Sequence, residues 1–206
     1  MVLFHFICVA MKRDPKEILQ HYRAELESYC AFSLEAWELL ESILEIRDVS
    51  KGELTLKEGR TCRFIDFIHV GTFRMYYLND GLETTTSIAI EGLFITDMKS
   101  LSSETASNLN IQALEPAIIV RLYKEKLIQL YKQSAELQTV GRAILESMVV
   151  AENEWKEMYT LYDPQKRYAF LMEKAPQFFV RVPLQYIASF LGIRRETLSR
   201  MRSKRM

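Results

Sequence analysis

Residues 183–205 read PLQYIASFLGIRRETLSRMRSKR, a stretch whose cations could hold a polyanion. Arg194, Arg195, Arg200, Arg202, Lys204 and Arg205 are threaded among Leu191, Ile193, Leu198 and Met201, which fall into an apolar helical pattern. A solvated tail has no use for the apolar set, and a plain core helix has none for the arginines. An arginine fork matches O6 and N7 of guanine, and a glutamate can accept from N4 of cytosine. A hydroxyl near a helix N-terminus suits a phosphate oxygen. On that chemistry the candidate DNA-contacting residues are Arg194, Arg195, Glu196, Thr197, Ser199 and Arg200. Lys204, with Arg205, adds unspecific phosphate attraction that weakens with salt.

Such residues need two short helices to aim them. Pro183 opens the first, whose inner face is Ile187, Ala188 and Leu191. Gly192 follows it, where a left-handed residue turns the chain. Ala188, four residues before that glycine, is small enough for a second helix to cross closely. Leu198, six residues after it, plugs between the two helices. This spacing of Ala, Gly and an apolar residue predicts a helix-turn-helix, with the second helix starting near Arg195. The rival is a basic amphipathic helix lying on a protein or membrane surface. The turn glycine, the two-helix spacing and the guanine-matching side chains together favour DNA.

Three regions precede this end. Residues 14–46 predict helices, with Asp14 as a cap before Pro15 and Ser33 as a cap before LEAWELL. From 47 to 123, short runs of β-branched and aromatic residues alternate with turn markers at Gly52, Gly59, Gly71, Asn79-Asp80-Gly81 and Gly92. That texture predicts a small sandwich or barrel-like roll, with a hairpin at Asn79-Asp80-Gly81. Residues 134–161 predict one long helix. Leu137, Gly141, Ile144, Met148, Ala151, Trp155 and Met158 form a heptad seam along it. Val140, Leu145 and Val149 form a second stripe. Either the first stripe meets a partner helix while the second packs on the roll, or the helix packs wholly on its own chain; the heptad favours the dimer. The expected division is 1–13 as an extension, 14–133 as the roll, 134–162 as the dimerisation helix and 163–206 as the DNA-binding end. The fold class is α+β.

The chain has 206 residues, 27 Lys and Arg and 27 Asp and Glu, so no net charge. The balance conceals a split. Residues 164–206 hold ten basic and two acidic residues, leaving 17 and 25 for the rest, so the basic end is suited to a polyanion. With 49% hydrophobic and 26% charged residues the composition is that of a globular chain, and no apolar run is long enough for a membrane span. The opening MVLFHFICVAMKRD lacks the order of a signal peptide, since its bases follow the apolar run, and Met11 is a second candidate start. Cys8, Cys30 and Cys62 are scattered, as are His5, His21 and His69. They predict no metal, haem, iron–sulfur centre or other cofactor, and ordinary thiols in a reducing cytoplasm. Neither a Ser-His-Asp ordering, a phosphate-binding glycine loop nor an H-E-x-x-H helix marks an enzyme.

The segment IASFLGIRRETLSRMR resembles the DNA-reading segment of the Crp/Fnr superfamily of bacterial transcription regulators, relatives of the cyclic-AMP receptor protein. KGELTLKEGRTCRFIDFIHVGTFRMYYLNDG is similar to the family's β-roll, and the order of regions agrees over roughly residues 15–206. The resemblance implies a cyclic-nucleotide-binding-like jelly roll, a long dimerisation helix and a homodimer on pseudo-palindromic double-stranded DNA. It also admits RNA polymerase as a partner. The family's base-reading residues fall on Arg195, Glu196 and Arg200, and its phosphate-contacting threonine on Thr197. The sequence stops after the recognition helix, without the family's two-stranded wing, as in a shorter subgroup common in Bacteroidetes-type bacteria.

A second departure concerns the effector. Cyclic nucleotide binders hold the phosphate with Gly-Glu and, further on, Arg-Ser or Arg-Thr. Thr96-Asp97 and Ala106-Ser107 stand there instead. Without the arginine, and with Asp97 adding repulsion, cyclic AMP is not expected to bind in the family's manner. Thr96, Asp97, Ser100 and Ser107 are candidates for a polar effector pocket, or else a surface loop with no ligand. The alternative function is a ligand-sensing or protein-interaction module with a weak DNA-binding head.

Overall fold

A computed structural model describes residues 14–203. Helix α1 (Pro15–Tyr29) begins where Asp14 accepts from the Lys16 amide, and α2 (Leu34–Glu41) where Ser33 accepts from the Ala36 amide. Strand β1 (Glu45–Val49) starts the roll two residues before the texture of the sequence changes. The roll continues through β2 (Leu54–Leu56), β3 (Phe64–Val70), β4 (Phe73–Asn79), β5 (Leu82–Ala89) and β6 (Phe94–Ile95). Helix α3 (Met98–Ser103) precedes β7 (Leu109–Ala113) and β8 (Ala117–Tyr123).

Two antiparallel four-stranded sheets result, in the orders β1-β8-β3-β6 and β2-β7-β4-β5. The turn between β4 and β5 is the expected hairpin; Asp80 and Gly81 both take positive φ, the pairing that suits the twist of a two-residue loop. Gly71 carries the chain from one sheet to the other at φ +119, and a Cβ there would lie 2.4 Å from that of Ala117. Ile68, Phe73, Ile111 and Ile119 fill the space between the sheets. On β3 and β8, Asp66 and Arg121 stand directly opposite and join through two bonds of 2.7 Å, both buried. Burying a charge is tolerable only with such a partner.

Helices cover the outer face of the first sheet. Phe67, Val120 and Leu122 meet Tyr22 and Leu26 of α1 and Leu130 of α4 (Lys124–Gln133). Helix α5 (Ala135–Leu161) is capped by Ser134 and runs for 27 residues. Beyond it lie α6 (Pro164–Lys174), α7 (Phe178–Arg181), α8 (Leu184–Phe190) and α9 (Arg195–Ser203).

The two stripes of α5 are not used as the sequence suggests. Leu137 of the seam is buried with Val140 against the roll's helices, while Trp155 and Met158 pack into the C-terminal core. Gly141 leaves room for Tyr131, whose hydroxyl would fall 1.8 Å from an added Cβ. Ile144 and Met148 are half-buried, and Ala151 is exposed. Of the second stripe, expected on the roll, only Val140 packs there. Leu145 and Val149 are exposed, and so is Val150 beside them, at 57% for Val149 and 62% for Val150. Periodicity identifies apolar faces, but the neighbour each face meets depends on how far the roll and the C-terminal domain reach along the helix.

Candidate nucleic-acid interface

Helix α8 ends in a Schellman motif. Gly192 sits at φ +67, its amide donates to the Ser189 carbonyl at 3.0 Å, and the Ile193 amide donates to the Ala188 carbonyl at 3.0 Å. Arg167 of α6 reinforces the turn, donating from Nη1 to the Leu191 carbonyl at 3.2 Å. Its Nε and Nη2 hold the Tyr162 and Tyr159 carbonyls at the end of α5. Helix α9 then starts with the Arg194 carbonyl accepting from the Thr197 and Leu198 amides. Ile187, Leu191 and Leu198 are fully buried between the helices, and Ala188 is buried beside them.

That packing leaves one face of α9 to solvent. Arg194, Arg195, Glu196, Ser199, Arg200 and Arg202 are exposed, and Thr197 is half-buried near the helix start. Among the described residues, none of these four arginines has an ion-pair partner. Lys204 and Arg205 lie outside the described residues. The face is therefore cationic and uncommitted, with a single carboxylate, Glu196, among the arginines. Arg194 to Arg200 fall on one short exposed stretch because the turn that sets it is made by neighbouring residues.

The charge count at this end overstates what is available to a partner. Arg167 is spent on carbonyls, Lys174 lies 3.4 Å from Glu154, and Arg181 is bound to Glu91 and Glu115. Sequence reading missed Arg181 and Arg167 as structural residues. The carboxylates facing Arg181 lie 66 and 90 positions away, so no local pattern could announce them.

The effector candidates are buried, and their polar atoms face the main chain. Thr96 Oγ1 donates to the Phe64 carbonyl at 2.7 Å, with the Cys62 thiol 3.4 Å away. Asp97 caps α3, accepting from the Lys99 and Ser100 amides. Ser100 Oγ accepts from the Cys62 amide at 2.8 Å and donates to the Thr105 carbonyl. Ser107 Oγ donates to the Leu109 carbonyl at 3.0 Å. The four lie along one connection, with their side chains engaged in holding it rather than converging on a shared space. They are not a surface loop either.

A different space exists between α5, α1 and the first sheet. It is a cleft of about 200 Å³ walled by Tyr22, Phe94, Leu101, Leu127, Ile144 and Met148, almost entirely apolar. Burial pushes the Tyr22 hydroxyl well above its ordinary range, with the neighbouring Tyr131 adding to it. His21 and His69 meet nearby, Nδ1 to Nδ1 at 2.8 Å. Among the described residues, no group of three His, Cys, Asp or Glu side chains could hold a metal ion.

The β-roll thus passes through the long helix α5 into a helix-turn-helix. Residues 46–134 match the cyclic nucleotide-binding domain family. Among solved structures, FixK2 from Bradyrhizobium japonicum is similar at a TM-score of 0.67 and 16% identity, over 79% of this chain and 84% of that one. CLP of Xanthomonas campestris, described as a c-di-GMP-responsive global regulator, aligns at 0.65 and 16%, over 84% and 91%. A Crp/Fnr-family transcriptional regulator from Eubacterium rectale aligns at 0.61 and 19%, over 82% of both chains. No protein of curated function matches the sequence. Residues 46–134 thus match a cyclic nucleotide-binding domain, and the chain as a whole is similar in fold to these regulators.

Proposed function

We propose that the protein is a sequence-specific, DNA-binding transcription regulator of the cytoplasm, acting as a homodimer. The observation that carries this reading is the exposed face of α9, where Arg195, Glu196 and Arg200 stand unpaired among the described residues on a helix braced by the Schellman turn. A helix so presented fits the major groove with its N-terminal residues at the base edges. Arg195 and Arg200 read guanines, Glu196 accepts from cytosine, and Thr197 and Ser199 hold phosphate oxygens. Two copies joined through the free middle of α5, around Leu145, Val149 and Val150, place two heads on half-sites about one helical turn (~34 Å) apart.

The sensor works through something other than the family's cyclic phosphate grip. No arginine stands at Ala106-Ser107, and the hydroxyls and carboxylate around it are occupied by the main chain. Cyclic AMP is therefore not the effector. Titration calorimetry with cyclic AMP checks this, and micromolar binding would contradict it. The DNA reading is tested by competition binding with Arg195→Ala: sequence preference at one base pair per half-site is expected to relax, and full retention would show that α9 is not the reader.

A further inference from the structure

The DNA head does not hang from α5 alone. Between α5 and α6 the chain passes through Tyr162 in an extended conformation, a joint that could pivot. Away from that joint, four sets of contacts tie the head to the roll. Arg181 of α7 donates from Nη1 and Nη2 to the two oxygens of Glu91, each at 2.7 Å, and from Nε to Glu115 at 3.1 Å. Both acids are themselves pinned, Glu91 by the Gly71 amide at 2.8 Å and Glu115 by the Thr72 hydroxyl at 2.6 Å. The guanidinium of Arg74, only 1% exposed, stacks over Tyr76 of its own strand at 3.9 Å and over Tyr186 of α8 at 3.6 Å. Gln112 and Glu83 hold that guanidinium in place. Ser189 of α8 accepts from the Thr85 amide at 2.9 Å. Ile88 and Leu114 of the roll share a core with Ile187 and Leu198 of the head.

We infer that Arg181 and Arg74 are positioning residues that fix the separation between the two half-sites. The inference rests on the DNA-reading homodimer proposed above. Neither residue lies on α9, so neither reads a base. Their bonds set the angle between each head and its roll, and in a dimer that angle sets the distance between heads. DNA is unforgiving of error here. One base pair of slip moves a half-site by about 3.4 Å along the axis. A clamped head therefore accepts one spacing, whereas a head that pivots accepts several and binds each less tightly, because the ordering is supplied at binding.

The test is selection by the full-length protein from a pool in which half-site sequence and spacing both vary. Wild type should enrich one sequence at one spacing. Arg181→Ala, and separately the isosteric pair Glu91→Gln with Glu115→Gln, should enrich the same half-site sequence over two or more spacings. Affinity for the wild-type site should fall about tenfold, the size expected for losing a charge-assisted clamp. One spacing at undiminished affinity in these variants would overturn the inference. No enriched sequence with wild type would instead sink the DNA-reading proposal itself. Spin-label distances between the roll and α9 give an answer without DNA: one narrow distance in wild type and a broadened one in the variants, with unchanged distributions counting against the clamp.

Discussion

Arg195, Glu196 and Arg200 owe their meaning to what surrounds them. Each is exposed and, among the described residues, unpaired, so on the proposed function its hydrogen-bonding capacity is available to a base. Replacing Arg195 or Arg200 with alanine should cost about 1–3 kcal/mol of discrimination at one position of each half-site, measured by competition between single-base variants. A loss equal across all sequences would assign the residue to phosphate instead. Glu91 makes a second prediction. Burial pushes its carboxyl up, but the Arg181 guanidinium and the Gly71 amide outweigh that and hold it below the ordinary carboxylate value. A carboxylate depressed in the folded state stabilises the fold above the unfolded value, near pH 4.3, and loses that contribution as pH falls through the folded one. Glu91→Gln should therefore lower stability by about 1 kcal/mol at pH 7, the modest figure proper to a part-exposed pair. Melting curves should show that gap close below about pH 4. A gap independent of pH would mean the Arg181 pair contributes nothing. The exposed polar face of α9 was legible in the sequence because its residues are neighbours. The Arg181 and Arg74 contacts were not, since a lone arginine carries no mark of a distant carboxylate or tyrosine.

Among the elements, α8 and α9 form the best-specified pair, and their joint depends on few atoms. Leu198 is wholly buried at the crossing, so Leu198→Ala should cost about 2–5 kcal/mol and loosen α9 from α8. Thermal denaturation checks it, and a change under 1 kcal/mol would mean the crossing is not packed as described. Caps and turns made these elements readable: Asp14, Ser33, Gly192 and the Asp80-Gly81 hairpin all act within a few residues of themselves. Helix α5 was readable as a helix but not as an interface. Its heptad includes Leu137 and Met158, which are taken up inside the protomer, and Gly141, which makes way for Tyr131. Along the middle of the helix the exposed apolar residues are Leu145, Val149 and Val150. Val149→Glu should therefore convert the proposed dimer to monomer at micromolar concentration by sedimentation velocity, because like carboxylates would be forced into an apolar contact. An intact dimer would place the interface elsewhere.

For the whole molecule, two kinds of contact divide the labour. The two sheets and their helices build a roll whose polar connection at Thr96–Ser107 is satisfied internally. The C-terminal helices share one core with that roll through Ile88 and Leu114. The sequence foretold the order of these parts and the opposite charge of the two ends. It could not foretell that Arg167 and Arg181 serve the chain itself, which leaves Lys166 and the arginines from Arg194 to Arg202 as the exposed C-terminal cations with no ion-pair partner among the described residues. The measurement that bears most directly on this account is selection from a random duplex pool by the purified, ligand-free protein at about 0.15 M ionic strength. A two-fold motif with G·C pairs at the half-site positions, lost at one position in Arg195→Ala, is the predicted result. Enrichment of no sequence, with only salt-sensitive binding to all DNA, would contradict it.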